Sequence, residues 1–190
     1  FGSRGVEGKI MAISYARTKK LPFLGICYGM QVAVVEYARN VLGLKEAHTT
    51  EINAKTKYPV IDILPEQKKN LDDKNFGGTM RLGSYKAKII SGTLSKTYYK
   101  KNLILERHRH RYEVNPSFIK HLQQGGMIFS GTSLDGRLME IVEISSKEHP
   151  YFIASQFHPE LQSKPLDGHP LFNGLLKASQ KRSISKKDLL

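Results

Sequence analysis

Cys27 is the only cysteine among 190 residues, and its setting is that of a nucleophile. The segment Leu21-Pro22-Phe23-Leu24-Gly25-Ile26-Cys27-Tyr28-Gly29-Met30-Gln31 reads as a short apolar strand, a glycine-flanked turn and the start of a helix. A thiol on such a turn is lifted off the strand end into a crevice. The first N–H groups of the following helix favour its thiolate form. Far along the chain, Gln156-Phe157-His158-Pro159-Glu160 supplies an imidazole with a carboxylate two residues on. Cysteine, histidine and acid are the parts of a nucleophilic acyl-transfer site.

Each residue also has a plainer reading. A lone cysteine is most often a small apolar core residue. Gly25 and Gly29 argue otherwise, because glycine serves where backbone is strained or a substrate must come close. The N–H of Tyr28 would then point where an oxyanion develops, and such donors contribute about 3–4 kcal/mol to transition-state stability. A lone histidine is usually structural. Pro159 fixes a turn after His158, so that the Glu160 carboxylate can return to the imidazole and set its tautomer.

A third stretch is Glu106-Arg107-His108-Arg109-His110-Arg111-Tyr112-Glu113. As one strand it places Arg107, Arg109 and Arg111 on one face and His108, His110 and Tyr112 on the other. A metal site lacks a third ligand nearby, and a phosphate or RNA patch stays open. Carboxylate recognition by an arginine fork is the reading preferred here.

These residues need a scaffold, and the patterning outlines one. Residues 7–18 have apolar positions at helical spacing, residues 22–26 form a buried strand, and residues 29–42 form a helix with Gly43 as its C-cap. Helix, strand, helix in so short a span is an α/β signature. Residues 60–64, 80–90 and 103–114 are predicted strands, with a polar surface loop at 68–78 between the first two. A helix at 116–124 precedes strands at 127–133, 138–144 and 151–157, the first two joined by an Asp135-Gly136 turn. Residues 171–181 close as a helix, with a frayed basic tail from 182 to 190. The fold expected is therefore α/β: an open, mostly parallel sheet flanked by helices, with added antiparallel strands. One domain is expected over residues 1–181. Phe1-Gly2-Ser3-Arg4-Gly5 resembles the middle of a glycine loop, so that the chain is read as a piece lacking its first strands.

Composition narrows the function classes. A hydrophobic content of 39% and 25% charged residues describe an ordinary globular chain, and the apolar runs are too short for a transmembrane helix. A single cysteine excludes an internal disulfide framework and suits a reducing, cytoplasmic compartment. The formal charge of +13 raises the question of nucleic acid. The lysines lie in scattered pairs such as Lys19-Lys20 and Lys100-Lys101 with no RNA- or DNA-binding motif, so a solvated basic face is preferred. Neither a nucleic-acid nor a membrane partner is expected.

The nucleophile and His-Pro-Glu segments resemble those of class I glutamine amidotransferases, whose architecture is flavodoxin-like. Four further stretches narrow the resemblance to the glutaminase domain of the CTP synthases: Arg4 through Ile10, Val34 through Val41, Gly77-Gly78-Thr79-Met80-Arg81-Leu82-Gly83, and Glu106 through Asn115. The likeness extends from Phe1 to about Ala178. The Arg/His run is the most specific part, since the nucleophile segment is shared with sister amidotransferases.

The resemblance implies a mechanism. Cys27 would attack the side-chain amide of L-glutamine, His158 would move the protons, and Glu160 would orient His158. Tyr28, Gly29, Met30 and Gln31, with Glu51 and Arg111, would bind glutamine. Glu51 suits its ammonium group and Arg111 its carboxylate. No cofactor or metal is expected in this domain. In the family, ammonia passes to a synthetase domain that uses ATP and Mg to aminate UTP to CTP, GTP is an allosteric activator, and the enzyme is a homotetramer. No P-loop occurs in this sequence. Three departures stand out: no Pro-Gly-Gly precedes Phe1, Tyr28 replaces a leucine, and His48-Thr49-Thr50-Glu51 replaces Asn-Ser-Thr-Glu. The alternatives are another class I amidotransferase or a γ-glutamyl hydrolase, and a non-catalytic amidotransferase-like regulatory module.

Overall fold

A parallel ladder between two strands from opposite ends of the chain organises the molecule. The computed structural model describes residues 2–63 and 80–187. Strand β1 (Phe23–Ile26) lies between helices α1 (Val6–Thr18) and α2 (Tyr28–Asn40) and pairs in parallel with β9 (Phe152–Ser155), Ile26 opposite Ser155. From β9 the sheet continues through β8 (Met139–Ile144), β7 (Met127–Ser133) and β4 (Arg81–Ile89) to β5 (Leu103–His110). A second sheet joins β2 (Ala47–Thr49), β3 (Tyr58–Ile63) and β6 (Tyr112–Val114).

The expectation of a mostly parallel sheet needs correction. Among the described strands of the larger sheet only β1 and β9 run parallel; every other neighbouring pair is antiparallel. Chain connectivity explains this. β7 and β8 are joined by the tight Asp135-Gly136 turn, where Gly136 has φ 75°, and the link from β8 to β9 is also short. Parallel neighbours need a long crossover, and β1 and β9 are separated by most of the chain. Helices still cover both faces, as an α/β fold requires. Phe152 and Ala154 of β9 pack in the cluster formed with α1 and α2. Ile153 turns the other way, into a cluster with Tyr99 and Leu171.

Local chemistry sets most element ends. Asn115 accepts the Ser117 N–H and Pro116 opens α4 (Pro116–Gln124), matching the expected bounds. Residues 30–38 of α2 are all buried, so this helix is held by packing on several sides. It ends at Asn40, earlier than its apolar pattern suggests, and Gly43 turns the chain at φ 73°. Arg17 of α1 forks onto the fully buried carboxylate of Glu36 on α2, its Nη2 lying 2.8 Å from Oε1.

The structure also adds elements. Strand β2 is three residues long, below the reach of a periodicity argument. Helix α3 (Leu94–Tyr99) begins where the Thr93 side chain accepts the Lys96 N–H. Helix α5 (Pro170–Lys187) continues past the frayed end expected at residue 182. The long Arg/His strand divides at Arg111, so that β5 and β6 belong to different sheets. The loop expected at 68–78, the end of the strand expected at 60–64 and residues 77–79 of the Gly-Gly-Thr motif lie outside the described residues.

Gly25 is a packing necessity. A Cβ there would lie 2.8 Å from the Ala154 Cβ and 2.9 Å from the backbone of Gly29. Gly25→Ala must therefore push β1 from β9 or from α2. It is expected to destabilise the fold by about 1–3 kcal/mol, read as a lower urea midpoint with an unchanged slope.

Candidate active site

Cys27 occupies the sharp turn between β1 and α2 with φ 52° and ψ −101°. Such a conformation costs a non-glycine residue about 1–3 kcal/mol and persists only where neighbours enforce it. Here the Cys27 N–H donates to Ser155 O at 2.7 Å, and its carbonyl accepts from Met30 N at 3.0 Å and Gln31 N at 3.2 Å. The sheet holds one side of the turn and the helix holds the other. The side chain is thereby lifted toward the carboxyl end of β1, where open α/β sheets place their ligands.

His158 reaches the same place from β9. Its N–H donates to Arg107 O at 2.8 Å, and the short 3₁₀ turn Pro159–Leu161 brings Glu160 back. His158 Nδ1 lies 2.6 Å from Glu160 Oε1. Nδ1 therefore carries the proton and Nε2 keeps a lone pair. That Nε2 is buried and finds no hydrogen-bond partner, the arrangement of a base awaiting a proton.

Cys27 and His158 line one cavity of about 340 Å³ with Tyr28, Gln31, Glu51, Met80, Arg109, His110, Arg111 and Tyr112. The structure thus gathers Cys27, His158, Tyr28, Gln31, Glu51 and Arg111 around a single space. Glu51 comes from the turn after β2, where its N–H donates to Thr49 Oγ1 at 3.2 Å. Arg111 sits at the break between β5 and β6. Met30 behaves otherwise: its side chain is wholly buried in the core and its N–H is already bonded to Cys27 O. Gly29 is not among the lining residues, and a Cβ on it would meet no atom within 4 Å.

Two glutamines complete the setting, one of them unforeseen. Gln156 is fully buried and directs Nε2 at Cys27 Sγ, 3.8 Å away. Gln31 donates to Tyr112 O at 3.0 Å and to Gln156 Oε1 at 3.4 Å, tying the cysteine turn to β6 and β9. Position 156 at the end of an apolar strand is a signal for Gln156, but its direction belongs to the fold.

The electrostatics revise one expectation. Burial pushes the Cys27 thiol up to about 11; the negative charges of Glu160 and Glu113 act in the same direction, and the Tyr28 N–H and the Gln156 amide oppose them. Desolvation outweighs the helix N-terminus, so the resting thiol is protonated and needs a base. Tyr28 is also pushed up, to about 12, by burial and then by Glu51. Its hydroxyl donates to Gly2 O at 3.1 Å, anchoring the glycine loop at the cavity edge.

Comparison with known proteins agrees with this geometry. Residues 1–178 match the family model described as glutamine amidotransferase class-I. The chain belongs to the class I glutamine amidotransferase family. It is 55% identical over 186 residues to the CTP synthase of Bacillus subtilis (strain 168). Against the CTP synthase of Pyrococcus abyssi it is 57% identical over 187 residues. Each alignment covers 98% of this chain and 34% of the relative, so that the chain spans about a third of the length of these curated relatives. Among solved structures, the glutaminase domain of Trypanosoma brucei CTPS with bound acivicin superposes with a TM-score of 0.84 at 37% identity, covering 95% of this chain and 68% of that one. The amidotransferase architecture read from the sequence is therefore the one present.

The raised thiol value has a direct consequence. The rate at which iodoacetamide alkylates Cys27 is expected to keep climbing above pH 9, without a plateau between pH 6 and 8. A plateau in that range would mean a thiolate–imidazolium pair already formed at rest.

Proposed function

We propose that this chain hydrolyses L-glutamine to glutamate and ammonia as the glutaminase part of a CTP synthase, with Cys27, His158 and Glu160 as its catalytic residues. The observation that carries the reading is that the strained Cys27 turn and His158, whose Nε2 has no hydrogen-bond partner, line one cavity together with Glu51 and Arg111. The similarity to relatives named CTP synthase adds the parent reaction.

The chemistry follows from the geometry. Glutamine enters with its ammonium toward Glu51 and its carboxylate toward Arg111, which leaves the side-chain amide at Cys27. His158 Nε2 takes the thiol proton as sulfur attacks the amide carbon, and Glu160 stabilises the imidazolium through Nδ1. The Tyr28 N–H lies beside the carbon where negative charge develops on oxygen. His158 then hands its proton to the leaving nitrogen, and ammonia departs from a γ-glutamyl thioester. Water, deprotonated by the same imidazole, attacks the thioester, expels sulfur and gives glutamate. Gly29 and Met30 support the turn from behind, while Tyr28 and Gln31 face the substrate.

The ammonia is consumed, in this reading, by a synthetase domain in which ATP and Mg activate UTP for amination. GTP is the activator and a homotetramer the working form, in the cytoplasm. Among the described residues no group of three His, Cys, Asp or Glu could hold a metal ion, and no helix is long and apolar enough to cross a membrane. The amidotransferase unit is taken as residues 1–181.

A glutamine-analogue diazoketone is expected to form an adduct on Cys27, mapped by mass spectrometry and suppressed by excess glutamine. A folded full-length protein with no adduct would sink the proposal. In that protein, Cys27→Ala should abolish glutamine-dependent CTP formation yet leave formation from free ammonia intact. Arg111→Ala removes a charged hydrogen bond of about 1.5–3 kcal/mol, which corresponds to a roughly tenfold to hundredfold rise in KM for glutamine. An unchanged KM would take Arg111 out of the site.

A further inference from the structure

Behind the Arg111 wall of the cavity lies a charged cluster that the hydrolysis chemistry leaves unused. Arg81, His108, His110, Glu113 and Glu140 come from β4, β5, β6 and β8, and all are buried. Arg81 Nη2 lies 2.7 Å from Glu140 Oε1, while its Nη1 is 3.8 Å from Glu113 Oε1. His108 Nδ1 and His110 Nε2 are 2.9 Å apart, and His110 Nδ1 stands 3.3 Å from both Tyr112 O and Glu113 Oε1. His108 Nε2 faces Glu140 Oε2 at 3.7 Å.

Charge counting shows what this cluster must hold. Both histidines are buried beside Arg81, which with burial pushes His108 down to about 2 and His110 down to about 3. They are neutral, and the remaining charges are one guanidinium and two carboxyls. Two buried carboxylates on one cation leave an uncompensated negative charge, which a low-dielectric interior resists. Glu140 takes the close contact with Arg81. Burial raises both carboxyls, and the Arg81 hydrogen bond opposes this at Glu140; Glu113 is the more distant from the guanidinium, and it is the one that keeps a proton. Burial, then Glu140, raises it to about 8 against the weaker opposing pull of Arg81.

The placement gives that proton a consequence. β5 ends at His110 in the large sheet and β6 begins at Tyr112 in the small one, so Arg111 alone makes the crossing. His110 and Glu113 stand on either side of it, and meet beneath it. Arg81, paired with His110 across the β4–β5 ladder, closes the same group from the neighbouring strand. Resting on the glutaminase reading above, we infer that Glu113 is a positioning residue, whose neutral acid form holds the backbone crossing that presents Arg111 to glutamine. Its ionisation adds a buried negative charge beside His110, draws Arg81 away from Glu140 and loosens the crossing. The groups facing Glu113 are His108 and His110 of β5, Arg81 of β4, Glu140 of β8, its cross-strand partner Asp62 of β3, Cys27 after β1, and His158 beyond His110. Asp62 Oδ1 is already engaged by Thr50 Oγ1 at 2.6 Å and by the Ile63 N–H at 2.8 Å.

The test compares the full-length wild-type enzyme with Glu113→Gln and Glu113→Ala between pH 6 and 10. Wild type should lose kcat/KM for glutamine along an alkaline limb centred near pH 8, through KM more than kcat. Glu113→Gln, which cannot ionise, should lack that limb. Glu113→Ala should raise KM about tenfold at every pH, since the crossing loses its support. Persistence of the limb in Glu113→Gln, or an unaltered KM in Glu113→Ala, overturns the proposal.

Stability provides a readout that needs no activity. Glu113 keeps its proton in the folded state up to about pH 8, whereas a free carboxyl loses it near pH 4.5. The unfolded state therefore binds fewer protons between these values, and stability from this group falls as pH rises across the window. The wild-type Tm should drop more from pH 5 to 8 than that of Glu113→Gln. Equal drops would remove the proton from Glu113. If wild type neither hydrolyses glutamine nor labels at Cys27, the glutaminase reading fails, and the Tm comparison still decides the protonation state.

Discussion

The parallel pairing of β1 with β9 is the contact on which the site depends. It sets Ile26 beside Ser155 and lets the Cys27 N–H reach Ser155 O. That bond fixes the cysteine turn in a conformation few residues tolerate, and the same strand carries the chain one residue farther to Gln156 and four to the Pro159 turn. Thiol, amide and imidazole thereby converge at one sheet end. Helices packed on both faces keep the ladder rigid, because Phe152 and Ile153 bury against opposite layers. Tight packing also explains why Gly25 has so little room: strand, strand and helix all meet at the turn.

Rigidity carries an electrostatic cost that the site uses. Burying Cys27 suppresses its thiolate, so sulfur becomes a strong nucleophile only when a proton acceptor stands ready. In the proposed mechanism the partnerless Nε2 of His158 takes that role, with Glu160 fixing the tautomer. The proposed substrate grip follows another logic. Glu51 and Arg111 arrive on turns and a strand break, where side chains can leave the sheet and point into open space. Arg111 is useful because the strand stops there.

The amino acids themselves announced much of this. Glycine-flanked Cys27 and the His-Pro-Glu segment combined rare residue types with rigid neighbours, and alternation separated His108 and His110 from Arg107 and Arg109, which the structure buries and exposes respectively. It failed one residue later. Arg111 interrupts the strand, so Tyr112 leaves the face assigned to it and Glu113 turns inward. Periodicity describes a continuous strand and has no way to register a change of sheet. The mostly parallel sheet was inferred from one helix-strand-helix unit, and the later hairpin connections imposed antiparallel pairing on most of what followed.

Sequence alone determined which groups are the candidates for reaction, the ends of helices such as α4 where a cap and a proline coincide, and the family to which the chain belongs. These depend on covalent chemistry and on local backbone preferences, which neighbouring residues carry with them. Only the tertiary structure decided that Cys27 and His158 share a cavity, that Gln156 turns toward the sulfur, that Met30 belongs to the core, and that the thiol is held protonated. Those are matters of distance, direction and desolvation. They arise when segments far apart in the chain exclude water from one another.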